Sequence, residues 1–112
     1  PELLAGADVG LSLPPPIKVN REMSPTKLAE YMGAGLAVLA SRGIPMQERF
    51  VRESNGGLLV DWDEAAIAEG IRTLSADPAA VNTYRENAAI FARRSLQYRF
   101  YLPQFRQLLG LG

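Results

Sequence analysis

The chain reads Ser24-Pro25-Thr26-Lys27-Leu28-Ala29-Glu30-Tyr31-Met32-Gly33-Ala34-Gly35, followed directly by Leu36-Ala37-Val38-Leu39-Ala40-Ser41. In the first half, Ser24 is a favourable N-cap and Pro25 suits the first position of a helix. Apolar side chains then recur at helical spacing, and two glycines provide the stop. The apolar run that comes next predicts a buried strand. A capped helix that turns at once into a buried strand is typical of an α/β fold.

The same alternation continues on both sides of this segment. Residues 1–5 resemble the end of a helix, and strands are predicted over residues 7–13, 36–40 and 58–60. Helices are predicted over residues 24–33, 46–53, from a cap at Asp61 or Asp63 to Leu74, over 77–95, and over 96–109 with a kink at Pro103. Strands that alternate with helices imply parallel crossovers and an open sheet covered on both faces. The predicted fold class is therefore α/β: the C-terminal part of a doubly wound, Rossmann-like domain, with about three parallel strands flanked by helices and a kinked C-terminal helix.

Composition limits the classes of function. The chain has 112 residues, enough for one small domain, with 47% hydrophobic residues and no formal net charge. Nucleic-acid binders usually carry a basic excess, so this balance argues against a nucleic-acid partner. Because there is no Cys and no His, the chain cannot hold a disulfide, a thiolate nucleophile or a Cys/His zinc site. No apolar run is long enough to span a bilayer. The chain opens without Met, so we expect a fragment of a longer protein.

The start of the helix at residue 24 is the leading candidate for a binding site. The first N–H groups of a helix lack intrahelical partners, and the helix dipole places about half a positive charge there. In an open α/β sheet this end of the helix lies at the carboxyl edge of the strands, where ligands bind. Lys27 is unfavourable at this position by roughly 0.3–1 kcal/mol, which favours a bound anion nearby. An ion pair between Lys27 and Glu30 is the competing explanation.

Two carboxylates flank the helix start, with seven residues between Glu22 and Glu30. Glu30 follows Thr26 by one turn, and a carboxylate can accept two hydroxyls, as the vicinal diol of a ribose requires. The alternatives are a solvated helix position for Glu30 and a surface loop position for Glu22.

The order and spacing of several segments resemble one protein family. These segments are Ala7-Asp8-Val9-Gly10-Leu11, residues 24–32 with Gly35, Val38-Leu39-Ala40-Ser41, Asn55-Gly56-Gly57-Leu58-Leu59-Val60 and Arg85-Glu86-Asn87-Ala88. From about residue 5 to residue 109, the chain resembles the C-terminal domain of retaining GT-B glycosyltransferases of the glycogen-synthase-like "glycosyl transferases group 1" family. The resemblance makes residues 1–112 a partial C-terminal GT-B domain. It implies an enzyme that transfers a glycosyl group from a nucleotide-diphosphate sugar to an acceptor, with retention and without a metal or another cofactor.

The resemblance also implies roles for individual residues. Glu22 and Glu30 match the two glutamates of the family's E-x7-E motif, with Glu22 at the donor sugar as the catalytic residue and Glu30 at the ribose hydroxyls. The diphosphate would be held by the residues that open the helix: Ser24, Pro25, Thr26 and Lys27. The stretch between the glutamates lacks the aromatic–glycine pair common in other branches. The family's Arg/Lys pair, which neutralises the leaving diphosphate, and its acceptor-binding N-terminal domain have no counterpart here, so we expect no turnover by the chain alone.

The C-terminal segment mixes cations with aromatic rings, at Arg93, Arg94, Tyr98, Arg99, Phe100, Tyr101, Phe105 and Arg106. Such a surface suits anionic lipid. If the acceptor is lipid-linked, this surface predicts a cytoplasmic protein that binds peripherally to the inner face of the membrane. The resemblance favours instead a C-terminal helix that crosses back onto the N-terminal domain, bent near Pro103. Self-association through the aromatic face is a third alternative.

Two other classes of function stay open. A non-catalytic nucleotide- or partner-binding module on the same α/β unit would explain the helix start without transfer chemistry. A phosphorylation receiver would need clustered acids at strand ends and a later Lys, but Asp8 opens its strand and no Lys follows Lys27. An upstream acceptor domain in the parent protein would favour the glycosyltransferase.

Overall fold

Three parallel strands alternate with helices in the computed structural model, which describes residues 8–18 and 26–96. The strands are β1 (Val9–Ser12), β2 (Ala37–Ser41) and β3 (Gly57–Val60). The helices are α1 (Thr26–Gly33), α2 (Pro45–Ser54), α3 (Glu64–Ser75) and α4 (Pro78–Phe91), which continues as a π-helical segment, Ala92–Leu96. The strand order is β1-β2-β3, and both pairs are parallel. The predicted α/β class, with three parallel strands flanked by helices, is confirmed.

The sheet separates two apolar clusters. On one face, which we call the α1/α2 face, Val38 and Ala40 of β2 pack with Leu28 of α1 and Phe50 of α2. On the other, the α3 face, Ala37 and Leu39 pack with Leu74 of α3, because successive strand residues point to opposite faces. β2 is consequently buried along its whole length, as a central strand covered on both faces requires.

Helix α4 belongs to both clusters. Val81, in its second turn, packs on the α3 face. Ala88 and then Ala92 pack on the α1/α2 face. α4 therefore passes from one face of the sheet to the other.

Two glycines allow helices to approach the sheet closely. A Cβ at Gly10 of β1 would collide with the ring of Tyr31, so the absence of a side chain there seats α1 on the strand. A Cβ at Gly70 would lie 2.9 Å from both Leu39 and Val60, which fixes α3 against β2 and β3. Gly70 thus belongs to the predicted inward stripe of α3 because a larger residue would not fit between this helix and the sheet.

The helix boundaries refine the sequence prediction. Asp63, and not Asp61, caps α3, because its carboxylate accepts the Ala66 N–H at 2.9 Å. The helix predicted over residues 77–95 is α-helical to Phe91 and π-helical from there to Leu96. The predictions for residues 1–5 and for the tail from residue 97, including the kink at Pro103, lie outside the described residues.

Candidate functional site

Three of the predicted donor-site residues lie on α1. Thr26 opens the helix, Lys27 follows it, and Glu30 comes one turn later. The other three precede α1, in a stretch that the structure does not describe: Glu22, Ser24 and Pro25. Their positions, and the N-cap that Ser24 would provide, stay predictions.

The start of α1 lies at the carboxyl edge of the sheet. Helix α1 follows β1 along the chain and leads back to the beginning of β2, so it runs antiparallel to both strands. At its far end, the Leu36 N–H donates to the Tyr31 carbonyl (3.0 Å) just before β2 begins. Thr26 is therefore on the edge where ligands bind in open α/β sheets.

The packing of α1 decides which of its side chains meet solvent. Leu28, Ala29 and Met32 are buried against the sheet and α2. Lys27 and Glu30 fall outside this buried stripe, and both are exposed. The same helix that contributes to the core thus presents one cation and one carboxylate to solvent.

The ion pair that would have explained Lys27 is not formed. Within the described ranges, neither Lys27 nor Glu30 takes part in an ion pair. The first turn of α1 contains no acidic residue, as in α4, whereas the first turns of α2 and α3 contain Glu48 and Glu64. An ammonium at the positive end of a helix dipole, with no compensating carboxylate in the described part of the chain, favours an anion.

A proline-rich loop, residues 13–17, is fastened to the carboxyl edge. Ser41 at the end of β2 donates its hydroxyl to the Pro14 carbonyl at 2.9 Å. Trp62, just after β3, donates its indole N–H to the Leu13 carbonyl at 3.2 Å. The loop therefore leaves β1 and is bonded to the chain at the ends of both other strands, which fixes the start of the connection that leads to α1.

The turn after β2 completes this edge. Gly43 has a φ of 100°, in the left-handed region, and a Cβ there would collide with Pro16 of the loop. Its N–H donates to the Glu48 carboxylate at 2.8 Å. The Glu48 side chain thus reaches back from the first turn of α2 and bonds to the turn that precedes the helix.

A buried glutamine joins the ends of β1 and β2. Gln47, 1% exposed, accepts the Ser12 hydroxyl at 2.6 Å. Its amide donates to the Ser41 carbonyl at 2.9 Å and to the Ser12 carbonyl at 3.3 Å. Sequence reasoning missed this residue, although a signal was available: Gln47 precedes Phe50 and Val51 by three and four positions, so it lies on the buried stripe of α2.

The segment Arg85-Glu86-Asn87-Ala88 lies at the opposite, amino edge. Arg85 donates to the Gly35 carbonyl at 3.0 Å and to the Asp8 carboxylate at 2.8 Å. Asn87 donates to the Asn55 carbonyl at 2.9 Å. These three acceptors precede β2, β1 and β3, so the segment holds the strand beginnings together and has a structural role.

No protein-family model, curated protein or solved structure matches this chain. Over the described residues, no helix is long and apolar enough to cross a membrane. The same residues contain no group of three or more Asp or Glu side chains placed to hold a metal ion.

Proposed function

We propose that the chain is the donor-binding part of a glycosyltransferase and that the beginning of α1 binds the diphosphate of a nucleotide-diphosphate sugar. The observation that carries this proposal is the exposed Lys27 in the first turn of α1, at the carboxyl edge, with no ion-pair partner among the described residues. A diphosphate would supply the missing negative charge. Its oxygens would also accept hydrogen bonds from N–H groups at the start of the helix and from the Thr26 hydroxyl.

Glu30 supports a nucleoside rather than a bare phosphate as the ligand. It is exposed, one turn from Thr26, and is not engaged in an ion pair in the described structure. A carboxylate in that position can accept both hydroxyls of a ribose attached to the diphosphate. By the family resemblance, Glu22 would contact the donor sugar, and a separate domain would bring a sugar or lipid-linked acceptor.

Isothermal titration calorimetry tests separately the binding of the diphosphate and the binding of the ribose. The ligands are the diphosphates of uridine, guanosine and adenosine, and inorganic pyrophosphate, which lacks the ribose. Lys27→Gln is expected to weaken all binding roughly tenfold, since one charge-assisted contact to phosphate is lost. Glu30→Gln is expected to weaken nucleotide binding and leave pyrophosphate binding unchanged.

The matched control is Arg72→Gln, which also removes one exposed cation but lies on α3, over the opposite face of the sheet. It should leave every affinity within about twofold, because Arg72 lies on the other side of the sheet, and its exposed ion pair with Glu69 contributes little to stability. If no ligand binds up to about 1 mM, or if Arg72→Gln weakens binding as much as Lys27→Gln, the proposal is wrong.

A further inference from the structure

An apolar groove of about 640 Å³ lies on the α3 face of the sheet, the face opposite to α1. Its lining includes four large apolar side chains and two carboxylates: Leu13, Trp62, Ile67, Ile71, Asp63 and Glu64. Trp62 is 51% exposed, so its indole offers a large apolar surface to a bound segment. Grooves of this size and composition accept the apolar side chains of a peptide.

The charges of the groove select the kind of segment. Asp63 and Glu64 both line it, and neither pairs with a cation in the described part of the chain. Both carboxylates lie at the beginning of α3, and the Asp63 carboxylate also accepts the Ala66 N–H. An apolar groove with two carboxylates that form no ion pair in the described structure is complementary to a segment that combines aromatic side chains with cations.

The chain itself contains such a segment. After Glu86 there is no acidic residue, and residues 97–112 carry two arginines among four aromatic residues: Arg99, Arg106, Tyr98, Phe100, Tyr101 and Phe105. Because the chain has no net charge overall, the residues before this basic stretch carry a matching negative excess. The groove, with its two carboxylates, and residues 97–112, with their two arginines, are therefore opposite in charge. Both are also rich in apolar side chains.

The course of the described chain favours a second copy as the source of the segment. Ala92 packs on the α1/α2 face, and the π-helical segment that follows contacts α1. The groove lies on the α3 face, so a chain leaving Leu96 would have to pass around the sheet to reach its own groove. A second molecule brings the segment to the groove without that detour, and the reciprocal contact closes a twofold dimer.

We infer that the groove on α3 docks residues 97–112 of a second copy of this chain. The inference is independent of the proposed donor site, since the groove contains neither a residue of α1 nor any of residues 22–25. Association driven by these contacts should weaken as salt screens the arginines from the groove carboxylates.

Cysteine crosslinking tests the inference directly, because the natural chain contains no Cys. One preparation carries Ala68→Cys, in the groove, and the other carries Leu109→Cys, in the C-terminal segment. Mild oxidation of the mixture should give a disulfide-linked heterodimer. When Thr83→Cys replaces Ala68→Cys in the mixture, no heterodimer should form, because Thr83 is an exposed position on α4 outside the groove.

A double variant with both cysteines in one chain distinguishes the source of the segment. Crosslinked dimers confirm exchange between two copies, whereas a crosslinked monomer would overturn it in favour of the chain's own segment. The absence of any crosslink would also overturn the inference. If the monomer then binds vesicles of anionic lipid, the C-terminal segment is assigned to a membrane surface instead.

Sedimentation equilibrium supplies a second measurement on the full chain. Ile67→Lys places a cation in the groove and is expected to raise the dimer dissociation constant about tenfold or more. The matched change Ile90→Lys affects a 39% exposed isoleucine outside the groove and should leave the constant unchanged. Equal effects of the two variants, or a monomer at every concentration, would contradict the inference. Circular dichroism checks that both variants fold.

Discussion

Replacing the buried Gln47 by leucine is expected to destabilise the fold by about 2–4 kcal/mol. Leucine has nearly the same volume, so the change removes hydrogen bonds without opening a cavity. The Ser41 carbonyl, in a fully buried residue, loses its 2.9 Å bond from the amide, and the Ser12 hydroxyl loses its 2.6 Å acceptor. Each buried polar group left unpaired costs about 1–3 kcal/mol, and the added apolar burial returns about 1 kcal/mol.

Urea denaturation followed by fluorescence measures this effect, because the chain has one tryptophan. Trp62 reports on the same edge of the sheet, since its indole N–H is bonded to the Leu13 carbonyl. The midpoint should fall while the slope of the transition stays constant, as expected when stability alone changes. The control Asn82→Leu, which replaces an exposed amide on α4, should stay within about 0.5 kcal/mol of the natural chain.

A double-mutant cycle makes the reasoning refutable. In the Gln47→Leu background, Ser12→Ala removes a hydroxyl that has already lost its acceptor, so it should cost about 1 kcal/mol less than in the natural chain. Strict additivity of the two changes, or a loss below about 0.5 kcal/mol for Gln47→Leu alone, would show that the buried network does not hold this edge together.

Three further changes follow from single contacts. Gly10→Val should lower the free energy of unfolding by about 1–3 kcal/mol in thermal unfolding, because the new side chain meets the Tyr31 ring. The loss should be smaller in a Tyr31→Ala background, and an equal loss in both backgrounds would contradict the contact. Arg85→Met should lower the free energy of unfolding by about 1–2 kcal/mol through a lost bond to a part-buried carbonyl, and the loss should hold in high salt, because the pair with Asp8 is exposed. Asp63→Ala should cost about 1 kcal/mol in urea denaturation by removing the cap of α3; no change would show that the cap is not needed.

Local signals predicted the elements well, because each element depends mainly on its own stretch of sequence. The strand predicted over residues 36–40 is Ala37–Ser41, and the helix predicted over 46–53 is Pro45–Ser54. Of the strand predicted over 7–13, the described residues form Val9–Ser12, and the Leu13 carbonyl that follows accepts the Trp62 indole N–H. The sequence within that strand carries no sign of a partner so far along the chain.

Contacts between residues far apart in the chain could not be predicted from the sequence. The bond from Arg85 to the Gly35 carbonyl spans 50 positions, and periodicity within α4 says nothing about its partner. Gln47 is an intermediate case, since its place on the buried stripe of α2 is readable but its partners are not.

For the candidate site, the sequence predicted a helix over residues 24–33, and the structure shows a helix over Thr26–Gly33 whose N-terminal end lies at the carboxyl edge. The structure also removed the Lys27–Glu30 ion pair as an explanation. That an anion binds there, and which anion it is, both stay predictions, because they depend on groups that do not belong to this chain.

The passage of α4 from one face of the sheet to the other has a consequence for unfolding. Val81 anchors the helix in one apolar cluster, and Ala88 anchors it in the other. Neither layer can therefore open while the other stays closed, so the amide protons of β2 should exchange with solvent only in global unfolding events. A chain shortened before Pro78 would lose apolar contacts on both faces of the sheet at once, and we expect it to populate no stable intermediate.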